Sequence, residues 1–312
     1  MNSGALPISV WSHRFAAVLC GLTFPLIWVG GLITTTDAGM AVPDWPGTYG
    51  SNLFLYPWST WLFGPWDLFI EHGHRLLAAL VGLVSIGFVA VCWRSSSTTL
   101  RRLAWSALAL VIFQGLLGGL RVVGNERLLA LAHGVTGPLF FALTCGIVGW
   151  LHQRQPATSP APRFRHLATS TSLLVFAQLA LGAALRHLPE SASPWSFAVV
   201  VKFHLLGAAV VAVMVMWLAC RATFGRGWPR GIRVAGGTIG LVLVLQLLAG
   251  LGTWVLKYGL PGWAGGGVVV TMDANVADGW WQTIGVTTHQ AGGSLLLGLA
   301  TYLAARTLAS DP

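Results

Sequence analysis

Charge is what this 312-residue chain has least of. Only 9% of its residues are charged, against about 25% in soluble domains, which excludes a water-soluble domain. With 55% hydrophobic residues and a mean hydropathy of +0.71, the chain reads as an integral membrane protein. Acidic residues are scarcest, 9 against 18 Lys and Arg. The resulting +9 is no nucleic-acid footprint, because the basic residues are spread over short loops between apolar runs, where they set membrane topology. The four cysteines, Cys20, Cys92, Cys145 and Cys220, all lie within apolar runs, in their middle or cytoplasmic halves. That placement excludes a disulfide at the outer face and reads them as small buried hydrophobes. No cleavable leader is visible either, since MNSGALPISVWSHR runs straight into a full-length apolar span.

What is there, in quantity, is apolar sequence of bilayer length. Eight spans of about 20 residues are predicted at 14–34, 73–93, 102–122, 129–151, 167–187, 197–220, 232–256 and 284–307. The N-terminus, the alternate loops and the C-terminus hold Arg14, Arg94, Arg101, Arg102, Arg154, Arg163, Arg165, Arg221, Arg226, Arg230, Arg233 and Arg306, 12 of the 18 basic residues, with Asp311 as their one acid. The opposite loops and helix ends hold the other 8 acids, among them Asp37, Asp44, Glu71, Glu126, Glu190 and Asp273. This asymmetry predicts that both termini are cytoplasmic and that even-numbered spans run from outside to inside.

Four histidines recur at matching places, one near the outer end of each even span: His74, His133, His204 and His289. An imidazole facing hydrocarbon leaves polar atoms without partners, at a cost of several kcal/mol, roughly. Four equivalent placements call for a common reason, and axial ligation of heme iron supplies one, with His74 pairing His133 and His204 pairing His289. Zinc or copper would recruit cysteine or carboxylate into a tighter set, and none stands beside His133, His204 or His289. A set of interhelical hydrogen bonds or a proton relay is the reading without a metal. Of the other histidines, His13, His152 and His166 flank cytoplasmic arginines, and His187 follows Arg186 at an outer end. His72 points about 200° away from His74 on a helix and is the weaker ligand candidate.

The chain also repeats itself. The third, fifth and seventh spans read FQGLLGGLR, FAQLALGAALR and LQLLAGLGTWVLK. Each has a Gln, a glycine four residues on and a basic residue at the outer end, and each precedes a histidine span. The first span, LIWVGGLITT, keeps only the glycine pair. The repeat predicts an all-α membrane fold of two pseudo-symmetric four-helix bundles, residues 1–155 and 156–312. Gly30, Gly31, Gly118, Gly119, Gly182, Gly250 and Gly252 either permit close helix approach or leave room for a planar macrocycle. Two long outer loops, 35–70 with Trp45, Trp58, Trp61 and Trp66, and 257–283 with Trp263, Trp280 and Trp281, read as interfacial anchors or as a lid over a flat ligand.

One histidine has company the others lack. Glu71, His74 and Arg75, in FIEHGHRLL, share one helical face at i, i+3 and i+4. A local Glu71–Arg75 ion pair is the plain reading; a carboxylate beside only one of two similar sites also suggests that one site does chemistry while the other passes electrons.

These features together resemble the heme A synthase family, membrane proteins that assist cytochrome oxidase assembly. The likeness covers the whole chain: eight spans, two halves, one histidine per even span, the E-x-x-H-R element at Glu71, His74 and Arg75, and GGLITTTDAGMAVPDWP with Thr36, Asp37, Gly39 and Trp45. It implies oxidation of the C8 methyl of heme O to a formyl group by successive hydroxylations. It further implies substrate heme between His74 and His133, a b-type heme on His204 and His289, and a catalytic role for Glu71. A heme O-producing enzyme, oxidase assembly factors and membrane lipid are the implied partners, with no nucleic acid, and the inner membrane the implied location. Arg121, Arg127, Arg186, Lys202 and Lys257 lie at the outer level, where they can pair with heme propionates, an inference outside the family motif. The chain departs from many relatives in having no cysteine in an outer loop, and in His72 and the expanded Trp-rich first loop. The alternatives are a non-enzymatic diheme b-type cytochrome and a heme carrier; Glu71 and the Asp37–Trp45 match favour the synthase.

Overall fold

The computed structural model describes residues 8–152, 162–189, 191–260 and 277–307. Among them the secondary structure is helical, with a lone bridge between Thr48 and Ser51. Eight helices are long: α1 (Val10–Thr35), α3 (Trp66–Cys92), α4 (Thr98–Gly124), α5 (Arg127–His152), α6 (Pro162–Arg186), α7 (Pro194–Phe224), α8 (Arg230–Tyr258) and α9 (Trp280–Ala305). A single turn of 3-10 helix (Ala38–Met40) and the short α2 (Trp58–Leu62) lie between α1 and α3. Serine side chains cap three starts, Ser9 for α1, Ser97 for α4 and Ser193 for α7, where each accepts a backbone N–H of the first turn. Asn125 ends α4 in the left-handed region, at φ 46°.

Every predicted span coincides with one of these helices to within two residues at its overhanging end, and the helices run longer. At about 1.5 Å per residue, 25 to 31 residues exceed the roughly 30 Å of a hydrocarbon core. Seven of the described helices have both the length and the apolar composition to cross a membrane. The eighth, α9, has the length, but its first half carries Gln282, Thr283, Thr287, Thr288, His289 and Gln290. The physical reason is its position: α9 packs against α1, α5, α6 and α8, so most of these side chains face protein, with Thr288 exposed. Thr283, Thr287 and Ser294 are buried there. Residues such as Leu83, Ile112, Leu173, Val213 and Leu251 cover the outward faces and are more than half exposed, as helices surrounded by lipid require.

Two apolar cores form. One joins α1, α3, α4 and α5 through Leu19, Phe88, Leu100, Phe140 and Ile147. The other joins α6 to α9 through Val175, Val215, Ile239 and Leu297. Ala305 of α9 enters the first and Ala142 of α5 the second, so α5 and α9 form the seam. Small residues make that seam close. A methyl group on Gly149 would stand 2.6 Å from the Tyr302 carbonyl oxygen, and one on Gly298 2.7 Å from the Phe141 ring. The predicted domain boundary at 155/156 and the Trp263 segment lie outside the described residues.

Candidate functional site

The four histidines are placed by one device used four times. Each ring lies against a glycine of the preceding long helix: His74 on Gly30, His133 on Gly118, His204 on Gly182 and His289 on Gly250. A methyl group at those glycines would stand 3.0, 3.0, 3.1 and 2.8 Å from the ring Cε1 atoms. These glycines had been assigned to helix approach or to a macrocycle. Their neighbour is the imidazole itself, while Gly31 meets Thr287 and Gln290, and Gly119 meets Trp45.

The repeated glutamines have a part in the same device. Gln114 Nε2 donates to the His133 carbonyl at 3.2 Å, and His133 Nδ1 lies 3.2 Å from the Gln114 carbonyl. Gln246 and His289 repeat both contacts, at 2.8 and 3.2 Å. A carbonyl only accepts, so Nδ1 carries the proton in both rings and Nε2 keeps the lone pair a metal needs. His204 differs: its Nδ1 faces a donor, the Gln178 side-chain Nε2 at 3.1 Å, and so accepts where the other two rings donate, while the same Nε2 donates to the His204 carbonyl at 2.8 Å. His74 stands apart. Its buried Nδ1 has no hydrogen-bond partner among the described residues, and α1 has Leu26 where the other helices have glutamine.

The His204 and His289 ring centres are 6.4 Å apart, with the planes at 73°. Two imidazoles bound to one metal, with bonds of about 2 Å, put their ring centres roughly 6 Å apart, so this pair fits a bis-histidine heme iron. His133 and His74 are close enough to interact electrostatically, as is Arg121 with both. Among the described residues no three His, Cys, Asp or Glu side chains converge. A porphyrin supplies its own equatorial nitrogens, so it needs only the two imidazoles each pair offers.

Glu71 is 2% exposed and both its oxygens are engaged. Oε1 pairs with Arg75 at 2.8 Å, the one ion pair among the described residues, and Oε2 accepts the Val42 N–H at 2.9 Å. Arg75 also donates to the carbonyls of Val42, Asp44 and Gly47, each at 2.7 Å. The two side chains therefore clamp the first outer loop over the start of α3. The spacing of Glu71 and Arg75 predicts the ion pair; the loop contacts have no signal in the sequence. Asp44 stabilises the loop's turn by accepting the N–H groups of Tyr49 and Gly50 at 2.7 and 2.9 Å. Although desolvation pushes its carboxyl up, these two donors and Arg75 hold it below its usual range.

The loop's tryptophans divide between the two predicted roles. Trp45 lies on Gly119 of α4, and Arg121 reaches beneath Gly39, so this part of the loop walls the end of the His74–His133 site. Trp61 stacks on Phe69 and approaches His72 at 5.1 Å. Trp58 and Trp66, 65% and 48% exposed, together with Trp280 and Trp281, suit anchoring. His72 is fully buried among Thr48, Tyr56 and Trp61, supporting the loop and not the site. Cys20 and Cys145, unpaired in the sequence reading, have their sulfurs 3.4 Å apart across α1 and α5.

Several known proteins are similar to this chain. Residues 65–195 match a family described as cytochrome oxidase assembly protein. A heme A synthase of Symbiobacterium thermophilum is 28% identical over 267 residues, covering 72% of this chain and 84% of that protein. One from Hyphomonas neptunium is 24% identical, over 57% and 60% of the two chains. Another, from Shouchella clausii, is 34% identical over 36% of each. The matched segment contains the Glu71–Arg75 clamp, the His74 and His133 pair and the Arg121 and Arg186 helix ends, and over most of its length the chain is similar to a protein described as a heme A synthase.

Proposed function

We propose that this enzyme oxidises the C8 methyl of heme O to a formyl group, with substrate held between His74 and His133 and a resident heme b on His204 and His289. The conversion adds one oxygen to the methyl carbon and removes, net, two hydrogens, a four-electron oxidation. A heme held by His204 and His289 would supply one-electron transfer there. We assign the two roles to residues 1–155 and 156–312, each half a four-helix bundle, with α9 crossing the membrane as the eighth span.

One observation supports the division of labour: the two histidine pairs are not equally held. His289 Nδ1 donates to the Gln246 carbonyl, His204 Nδ1 accepts from the Gln178 side-chain amide, and both glutamines also donate to the histidine carbonyls, so both rings are positioned by a glutamine, as suits a heme that stays. In the other pair only His133 is tied. An outer-shell partner on a ligating histidine is worth about 10–100-fold in metal affinity, so an untied His74 suits a site that must release its product. Glu71 stands one turn from His74, held by Arg75 and the Val42 N–H. A carboxylate oxygen accepts more than one hydrogen bond, so each retains capacity to take up a proton or face positive charge developing at the methyl carbon.

Co-expression with a heme O-producing enzyme, followed by heme extraction and mass analysis, tests the reaction. Formyl heme should appear only when both proteins are present. Unchanged heme b and heme O would instead indicate a diheme cytochrome or a carrier.

The loop charges support cytoplasmic termini and histidine pairs in the outer half of the bilayer. A reporter fused after Pro312 should then be active only in the cytoplasm, and one inserted near Asn52 only outside. The reverse pattern would place the heme sites at the cytoplasmic face.

A further inference from the structure

Where the ends of α4, α5 and α6 approach one another, the structure gathers cations. Arg121 closes the last turn of α4 and Arg186 that of α6, each about one turn beyond a glycine that carries a histidine ring, Gly118 and Gly182. His187 follows, within electrostatic range of Arg121, Arg127 and Arg186. Its Nε2 lies 3.8 Å from where a methyl group on Gly134 would stand, beside His133. Arg121 acts on His74 and His133 alike.

Arg186 has no charged partner among the described residues. Its terminal nitrogens donate to the Gln290 side chain, the Thr35 hydroxyl and, at 3.2 Å, the Gly31 carbonyl. Its Nε is buried without a partner. Glu71 acts on Arg121 electrostatically, but its oxygens are engaged by Arg75 and the Val42 N–H. Guanidinium groups drawn away from water without a counter-charge are costly, unless a ligand brings the missing negative charge. A planar fork is shaped for carboxylate, which it binds through two parallel hydrogen bonds.

We propose that Arg121, Arg186 and His187 form a binding site for the carboxylates of the macrocycle held between His74 and His133. The proposal rests on the reading of that pair as a heme site, and the two can fail separately. The other source of such an anion is the phosphate of a lipid headgroup.

The test uses full-length protein carrying His204→Ala and His289→Ala, produced without heme and titrated with hemin or with its dimethyl ester, whose carboxylates are masked. Low-spin absorbance reads binding. The free acid should bind about 10–100-fold more tightly than the ester, the value of charge-assisted hydrogen bonds to one such group. Arg121→Gln and Arg186→Gln should each weaken binding of the acid towards that of the ester while leaving the ester unchanged, a result that loss of fold cannot imitate. Equal binding of acid and ester, or an equal loss of both in the variants, overturns the proposal. So does equal binding accompanied by anionic phospholipid that co-purifies with the parent and not with Arg121→Gln, which assigns the site to a headgroup. Failure of both forms to bind overturns the underlying reading of His74 and His133.

Discussion

Protein carrying His204→Ala or His289→Ala is expected to lose the low-spin b-type absorbance of the parent, becoming either high-spin or heme-free. The two rings face each other with centres 6.4 Å apart, each pressed onto a glycine that admits nothing larger. Removing either ring leaves one axial ligand and a gap the helices cannot close, because Gln178 and Gln246 still tie the paired helices through the histidine main-chain carbonyls. Those bonds should preserve the fold, so a circular dichroism spectrum like the parent's is expected alongside the lost heme. The fall in heme affinity should exceed the 10–100-fold cost of losing an outer-shell partner, since here the ligand itself is gone. Parent-like low-spin spectra from both variants would show that the resident heme lies elsewhere.

The second large effect is expected at Glu71. Glu71→Gln retains the size of the side chain and an acceptor for the Val42 N–H, now 2.9 Å away, but removes the negative charge. If that charge assists the reaction at the methyl group, formyl heme output should fall by about 10²–10³, the usual cost of losing one such electrostatic contact. Unreacted heme O or its alcohol form should accumulate in the protein. The loop clamp complicates a simple reading, because Arg75 loses its ion-pair partner. It keeps its bonds to the carbonyls of Val42, Asp44 and Gly47, however, and these should hold the loop closed. Limited proteolysis between residues 36 and 65 separates the cases. Low output with a protected loop supports a chemical role, whereas low output with an exposed loop makes Glu71 a positioning residue. Parent-like output reduces it to the ion pair.

Much of this was legible before any fold was known, for reasons that differ from residue to residue. The helices announce themselves because each bilayer crossing demands its own uninterrupted apolar run, whatever its neighbours do. His74, His133, His204 and His289 stand out because polar atoms are costly among such runs and these recur in phase. The glutamine four residues before a glycine was visible in α4, α6 and α8, but its use was not. Only in three dimensions does Gln246 meet His289 across 43 residues, or Gln178 meet His204 across 26.

Composition and periodicity by themselves determined the membrane class, the helical spans, their repeat and the histidines as the residues to watch. Each of these follows from the local cost of placing one residue or one span in hydrocarbon. The tertiary structure alone decided which group presses on which: imidazoles seated on glycines, Trp45 laid across Gly119, Arg75 holding a loop of which it is not part. It also decided that α9, too polar to read as a lipid-facing span, is enclosed by α1, α5, α6 and α8. Nδ1 of His74 and Nε of Arg186, buried without a partner among the described residues, belong to the same kind of knowledge. Whether a buried polar atom has a partner depends on every helix packed around it, and no stretch of one chain contains that information.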